Sequence, residues 1–175
     1  FLREDVISEQ EFHRIYFYVS LKQIGDANER LLWIDKNLLF SDWWHTDENI
    51  NFVKDADFDL AFEYAKKYVL SDDPFIRRWG YVMFISKKKC ENKDRLPLIL
   101  SLMHNDEHYY VQMAEAWLIA ELAIFFPDEV FCWLNNCGLK YDICGKTIQK
   151  ICDSFRISGE YKAKFKTLRA KLKTL

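Results

Sequence analysis

The stretch from Trp43 to Glu48 gathers side chains that could form the floor of an active site. Its sequence, WWHTDE, sets two indole rings beside a histidine, a threonine and two adjacent carboxylates. Such groups can hold positive charge, because carboxylates are anionic and aromatic faces attract cations. The alternative is structural, with the polar residues capping a helix and Trp43 or Trp44 lying partly in the core. The stretch alone does not decide between the two.

Spacing connects this stretch with residues further along the chain. Arg77 and Arg78 follow Asp47 and Glu48 by roughly one helical repeat, and Trp117 lies 39 residues after Arg78. Equivalent positions of stacked helical repeats line one surface. An aromatic, an acid, an arginine and a second aromatic could therefore converge in one groove. Considered individually, Trp117 is predicted to be a core residue and Arg78 a surface arginine.

The elements that would position these residues are helices throughout the chain. Ser8 with Glu11 forms a capping box, and the segment Ser71–Pro74 stops one helix and starts the next. Asn105–Asp106 is expected to cap another helix, and Ser158 the last one. No strand alternation is sustained, so the predicted fold class is all-α. The expected helices cover residues 8–24, 27–39, 47–53, 57–70, 74–88, 94–104, 107–126, 128–137, 140–156 and 159–173.

Two segments repeat approximately. VLSDDPFIRRWGYVMFI (69–85) and MHNDEHYYVQMAEAWLI (103–119) share a polar capping turn, an aromatic and a buried helix, and aligning Ile76 with Val111 gives a period of 35. A two-helix unit of this size cannot bury its apolar faces alone, so neighbours must stack. We therefore expect one HEAT-like helical-repeat domain over residues 1–175, an α-α superhelix with a concave groove.

One motif suggests a metal and is discounted. The residues His104 to His108 match the H-x-x-E-H pattern of a class of zinc peptidases, which needs both histidines on one face of a continuous helix. A cap at Asn105–Asp106 would break that helix. No third ligand is indicated either, so neither a metal nor another cofactor is expected.

Composition narrows the function classes further. The sequence contains no glycine-rich phosphate loop and no nucleophile elbow, and its longest apolar run (116–126) is too short for a membrane span. Five scattered cysteines suggest reduced thiols, and with no signal peptide visible we expect a monomeric cytoplasmic protein without a membrane partner. Residues 1–73 hold eight basic and sixteen acidic side chains, whereas residues 140–175 hold ten and three. The basic end could hold a polyanion, or simply form solvated lysine-rich helices.

Three segments resemble a known family. DPFIRRWGYVMFI, DEHYYVQMAEAWLIAELAIFFPDEVFCWL and GKTIQKICDSFRIS are similar to segments of the AlkD-type DNA alkylation repair proteins, HEAT-like-repeat glycosylases that release cationic alkylpurines. The resemblance covers about residues 27–170 and is strongest over 73–158. The family usually has further helices before the first matched segment, and we expect some of them to be lacking here.

The resemblance implies a site. The family pattern Trp-x-Thr-x-Asp aligns with Trp44, Thr46 and Glu48, with Asp47 one place early. The family arginine falls on Arg78, and its second tryptophan falls on Trp117. The resemblance thus implies duplex DNA in a basic groove, with a lesion contacted by two tryptophans and an acid.

Three hypotheses for the function of the protein remain. The first is a DNA glycosylase that excises N3- or N7-alkylpurines from duplex DNA in the nucleoid of a bacterial cytoplasm. The second is a HEAT-repeat protein that binds damaged or branched DNA without catalysis, and the third is a protein-interaction scaffold. Under the second hypothesis, five basic residues would contact DNA phosphates: Arg77, Arg78, Lys146, Lys150 and Arg156.

Overall fold

The structure is a computed structural model and describes residues 10–174. Within that range every regular element is helical, which confirms the all-α prediction. Cα positions group into two compact units, one up to Ser86 and one from Lys87. No helix of the described residues combines the length and apolar content that crossing a bilayer requires. The single HEAT-like domain stays a prediction, and the Ser8 cap lies outside the described residues.

The first unit contains six α-helices in its described part. Their bounds are Gln10–Gln23 (α1), Ala27–Lys36 (α2), Trp43–Glu48 (α3), Ile50–Val53 (α4), Phe58–Tyr68 (α5) and Pro74–Val82 (α6).

Short polar caps set the starts of these helices. Asp26, Asp57 and Asp73 each accept hydrogen bonds from backbone N–H groups of the first turn of the helix that follows. Pro74 occupies the first turn of α6, as the sequence predicts, where its missing N–H is not needed. Helices α5 and α6 pack against each other, and α3 packs on α6. This arrangement places the WWHTDE stretch beside the arginines of α6.

Three predicted helices in this unit differ from the observed ones, and the helix expected over 27–39 ends at Lys36. The expected helix over 47–53 is split, because Asp42 caps a helix that begins at Trp43 and the chain re-forms a short helix after Asn49. The expected helix over 74–88 ends at Val82. Tight i to i+3 hydrogen bonds follow, from the N–H of Phe84 to Tyr81 and from that of Ile85 to Val82.

The second unit contains the remaining helices of the described range. They are Lys87–Cys90 (α7), Leu96–Leu100 (α8), Tyr109–Phe125 (α9), Pro127–Leu134 (α10), Tyr141–Asp153 (α11) and Gly159–Leu172 (α12), with a 3-10 turn at Lys93–Arg95. Ser158 caps α12 through its side chain, as predicted.

The core of the second unit lies between α9, α11 and α12. Helix α9 packs on α10 and α11, and α11 packs on α12. Each of the three helices contributes fully buried side chains, among them Leu118, Ile143 and Phe165. Because α9 and α11 run side by side, residues on their outer faces form a shared surface, to which the basic residues of α11 contribute.

Candidate functional site

Helix α3 turns polar residues inward and its tryptophans outward. The Asp42 side chain accepts from the His45 N–H at 2.7 Å and so fixes the first turn. His45 and Thr46 are fully buried, whereas Trp43 and Trp44 are 42% and 53% exposed. The expectation that one of the two tryptophans lies partly in the core is therefore wrong. The core positions of this stretch are the histidine and the threonine.

Asp47 and Arg78 form the central ion pair of the first unit. Arg78 is only 4% exposed, so it is not the surface arginine that the sequence also allowed. Its Nη2 lies 2.8 Å from Asp47 Oδ1 and 2.9 Å from Oδ2, and its Nε lies 3.2 Å from Oδ1. The Asp47 side chain keeps 19% of its surface in solvent. Charge-assisted hydrogen bonds therefore orient a carboxylate that a ligand can still reach.

Thr46 forms a hydrogen bond with Arg78, the arginine of this pair. Its Oγ1 donates to the Trp43 carbonyl at 2.6 Å and accepts from Arg78 Nε at 3.0 Å. A buried hydroxyl that serves both functions links the α3 backbone to the α6 guanidinium. The threonine of the motif is thus a positioning residue for Arg78.

Glu48 points to a different partner. Arg14 of α1 contacts both of its carboxylate oxygens, with Nε 2.8 Å from Oε2 and Nη2 close to Oε1. The same guanidinium lies 4.3 Å from the centroid of the Trp44 ring. Arg14 therefore combines an ion pair with a cation–π contact, and it occupies the Trp44 face. The motif residues Trp44 and Glu48 are held together, but they are not held by Arg78.

An open cleft of about 880 Å³ adjoins the Arg14–Glu48 pair. Tyr18 and Phe52 form part of its wall with ring centroids 5.8 Å apart, and Lys22 Nζ lies 5.4 Å from the Tyr18 ring and 5.8 Å from the Phe52 ring. The aromatic faces of this cleft are thus contacted by the cations of the protein itself.

His45 lies in the core, and its burial lowers the pKa of its imidazole. Its ring packs edge-on against Phe17 and Phe40, at centroid distances of 4.6 and 5.3 Å. Nε2 has no hydrogen-bond partner among the described residues, and Nδ1 lies 3.4 Å from the Ser41 N and Oγ. Burial disfavours the charged imidazolium and lowers the pKa of His45 to about 4. The histidine is therefore neutral near pH 7.

Arg77 stabilises the loop that precedes its own helix. Its Nη1 donates to the carbonyls of Ser71 and Asp72 at 2.8 and 3.0 Å. These bonds satisfy carbonyl groups after the end of α5. The predicted phosphate contact of Arg77 stays a prediction, and the geometry gives the side chain this structural role.

The second unit carries the other expected site residues on α9 and α11. Trp117 is half-buried, and Lys150 Nζ lies 5.9 Å from its ring centroid. One turn earlier on α11, Lys146 Nζ lies 5.8 Å from the ring of Tyr109, which is 56% exposed. Alternating aromatic and cationic side chains of this kind bind nucleic acid, because bases stack on rings while ammonium groups neutralise phosphates.

Arg156 differs from these lysines. Its Nη2 lies 2.5 Å from Glu121 Oε1, in a pair whose arginine side chain is 44% exposed. Exposed pairs of this type exchange partners at little cost, so a phosphate could replace the glutamate.

Trp117 lies in the second unit, whereas the acids of α3 lie in the first. The predicted approach of Trp117 to these acids therefore stays a prediction.

The zinc-like motif does not lie on a helix. Helix α9 begins at Tyr109 with His108 as its N-cap, so the predicted cap at Asn105–Asp106 is two residues early. Asp106 Oδ1 accepts the His108 N–H at 2.7 Å, and its Oδ2 lies 3.1 Å from His104 Nε2. The carboxylate thus organises the loop before α9. Among the described residues, no group of three or more potential ligands could hold a metal ion.

Sequence reasoning missed Arg14 and the N-cap Asp42. An aspartate directly before an aromatic helical turn is a recognisable capping signal, so Asp42 could have been found. The Arg14 contact joins residues 34 positions apart on different helices. No local pattern indicates a contact of that kind.

Comparison with known proteins identifies a family. The profile of a protein family described as DNA alkylation repair enzyme matches residues 13–163, which include both carboxylates of α3 and the basic face of α11. Searches of curated proteins and of solved structures found no significant match. Since the matched segment spans most of the sequence, the chain belongs to the DNA alkylation repair enzyme family.

Proposed function

We propose that this protein is a DNA glycosylase that releases cationic N3- or N7-alkylpurines from duplex DNA. The observation that carries the proposal is the Asp47 carboxylate, which a buried Arg78 orients while leaving it accessible to solvent. The site is on the short helix α3, whose tryptophans are exposed. Family membership supplies the role in DNA alkylation repair, and the geometry supports excision as the chemistry.

The chemistry fits the groups that are present. A purine alkylated at N3 or N7 already carries a positive charge, so it can leave without protonation by a general acid. What remains is to stabilise the oxocarbenium-like sugar, and a carboxylate does so electrostatically while it positions a water molecule. Indole faces attract the cationic base. In this proposal Asp47 is the carboxylate, Arg78 positions it, and no metal or other cofactor takes part.

The two tryptophans of α3 pair with different acids. Residues four apart on a helix share a face, so Trp43 lies with Asp47 and Trp44 lies with Glu48. Arg14 already occupies the Trp44 face and contacts Glu48. We therefore place the reacting sugar on the Trp43–Asp47 side. Glu48 would act only if Arg14 moved away from it.

The second unit supplies the binding surface in this proposal. Lys146 and Lys150 on α11 would neutralise phosphates, and Tyr109 and Trp117 on α9 would contact bases or sugars. Trp117 is the second tryptophan expected at the lesion. The partner is therefore duplex DNA, contacted mainly through its backbone.

The test is release of free base from methylated duplex DNA. The wild type should release 7-methylguanine or 3-methyladenine, and Asp47→Asn should slow the release by about 100-fold or more, the loss typical of removing a preorganised charge-stabilising group. Glu48→Gln is the matched control, since it removes a neighbouring carboxylate on the other face, and it should act within about threefold of wild type. Equal losses in both variants would reject the assignment of Asp47. No release by the wild type would reject excision.

A second candidate is DNA binding without catalysis. It is favoured by the aromatic and cationic face of α9 and α11, which needs no reacting carboxylate to bind DNA. In that case the wild type binds duplex DNA with an affinity that falls steeply as salt rises, because each neutralised phosphate releases counterions. Tight, salt-dependent binding with no base release selects this candidate. Absence of binding at low salt leaves only the protein-interaction scaffold.

A further inference from the structure

The loop between α11 and α12 presents one aromatic side chain almost entirely to solvent. Phe155 is 93% exposed, the highest value among the large apolar side chains whose burial the structure describes. The loop on which it lies is anchored at both ends. Ile157 is buried, Ser158 caps α12, and the Arg156 N–H donates to Ser154 Oγ at 3.3 Å. The exposure of Phe155 is thus a fixed feature of a short, anchored turn.

Phe155 borders a cleft that also contains Trp117. The cleft has a volume of about 310 Å³ and lies between the outer face of α9 and the end of α11. Trp117 of α9 and Phe155 of the loop both line it, so two aromatic side chains share one open slot. A slot of this kind suits a flat, aromatic ligand, because stacking does not depend on the hydrogen-bonding edges of that ligand.

The groups around the slot suit the two parts of one nucleotide, its flat base and its phosphate. Lys150 lies over the Trp117 ring, and Arg156 follows Phe155 directly. Two acids also line the cleft, but Glu121 is paired with Arg156, and Asp153 Oδ1 accepts from the Gln149 amide at 2.8 Å. Residues 140–175 as a whole carry ten basic and three acidic side chains. The two cations and two acids that line the cleft balance each other, so it is the wider basic surface of residues 140–175 that attracts an anion, while the slot itself offers aromatic surface.

We propose that Phe155 and Trp117 form a stacking slot for an unpaired DNA base, with Lys150 and Arg156 contacting the phosphates beside it. This inference rests on the proposed function in one respect, namely that DNA is the ligand. It goes beyond that function because it assigns the second unit its own preference for unstacked bases. The base in the slot need not be the alkylated one.

Phe155→Ala tests the slot. Binding is measured by fluorescence anisotropy on three labelled DNAs: a single strand, a duplex with a one-nucleotide bulge, and a fully paired duplex. Phe155→Ala should weaken binding to the single strand and to the bulged duplex by about tenfold, within the range measured for loss of one base–aromatic stack. Binding to the paired duplex should change by less than about twofold. Leu70→Ala, which removes an apolar side chain that is 82% exposed in the first unit, is the matched control and should bind all three DNAs like wild type.

Two further variants separate stacking from other contributions. Phe155→Tyr keeps an aromatic face and should bind like wild type, whereas Phe155→Leu keeps only apolar surface and should bind like Phe155→Ala. The slope of affinity against salt should be unchanged in Phe155→Ala, but Lys150→Gln should reduce it by about 0.7 to 0.9, one phosphate contact.

The outcomes distinguish the slot from the proposed function. An equal loss on all three DNAs, or wild-type binding by Phe155→Leu, would overturn the slot whether or not the protein excises bases. If the protein releases no alkylpurine but Phe155→Ala loses affinity only for unpaired bases, excision fails and the slot stands. If the wild type binds none of the three DNAs, both proposals fail.

Discussion

Replacing Asp47 by asparagine should cost much more stability than replacing the neighbouring Glu48 by glutamine. Both substitutions remove one negative charge and keep the shape of the side chain, and both break an ion pair with an arginine. The two arginines differ in burial, however. Arg78 is 4% exposed, whereas the Arg14 side chain is 25% exposed and that of Glu48 is 37% exposed. The cost of an unpaired charge depends on that difference.

The magnitude follows from the two environments. Breaking a buried ion pair by removing one partner costs about 3–5 kcal/mol, because the remaining charge is left without compensation. The Asp47 side chain is 19% exposed, so water reaches part of the pair, and we expect a loss of roughly 2–3 kcal/mol in the free energy of unfolding. The Arg14–Glu48 pair is near the surface, where such pairs contribute about 0–1 kcal/mol.

Urea unfolding followed by circular dichroism at pH 7 measures both losses. A double substitution adds a second check, since Arg78→Met combined with Asp47→Asn removes the stranded charge as well. That double variant should be more stable than Asp47→Asn alone, with a coupling energy of at least about 1 kcal/mol. Equal costs of Asp47→Asn and Glu48→Gln, or losses of Asp47→Asn and Arg78→Met that simply add, would refute this difference between the two ion pairs.

Three shorter predictions concern other parts of the chain. Between pH 6.5 and about 4, His45 binds a proton in the unfolded protein but not in the folded one. The free energy of unfolding should therefore fall by up to roughly 3 kcal/mol as pH is lowered through this range. In urea titrations His45→Phe should remove that part of the acid dependence, and an unchanged dependence would contradict the prediction. The hydrogen bond with Cys144 lowers the pKa of Cys137 to about 7, so labelling by iodoacetamide, followed by mass spectrometry, should modify Cys137 with a midpoint near pH 7 while Cys144 is protected by burial; a midpoint near pH 8.5 would contradict this. A Cβ on Gly80 would lie 2.9 Å from a side-chain carbon and 3.3 Å from a backbone nitrogen at the end of α5, so Gly80→Ala should cost about 1 kcal/mol in thermal or urea unfolding despite the gain in helix propensity. Gly159→Ala, whose Cβ would meet nothing within 4 Å, should be neutral or slightly stabilising.

The parts of the fold that could be predicted from the sequence are those with a local chemical signal. The aspartate–proline start of α6 and the Ser158 cap of α12 follow from the N–H groups of a first helical turn, which have no acceptor within the helix. The all-α class follows from periodicity sustained over whole helices. Boundaries were wrong where a cap was overlooked. Helix α3 begins four residues earlier than expected, because Asp42 provides its cap.

Three residues of the candidate site could be selected from the sequence, but their pairing could not. Spacing and resemblance selected Asp47, Glu48 and Arg78 without indicating which acid the arginine contacts. A shift of one residue on a helix turns a side chain by about 100°, so adjacent acids face different neighbours. The choice was made by Thr46, which fixes the guanidinium of Arg78 beside Asp47, and by Arg14, which holds Glu48 on the other side. Both contacts are tertiary.

Helix α3 has a further property that follows from its length. It has six residues, and an isolated helix of that length does not persist in water, since nucleation is costly and few hydrogen bonds follow. Its order is therefore supplied by neighbouring elements, through Arg78 on one side, Arg14 on the other and the packing of His45 beneath. The free energy for local opening of α3 is then set by two ion pairs and the two aromatic contacts of His45, and not by the global stability of the chain. Backbone amides of α3 should consequently exchange with solvent deuterium at a rate that increases with salt, while those of α6 follow global unfolding.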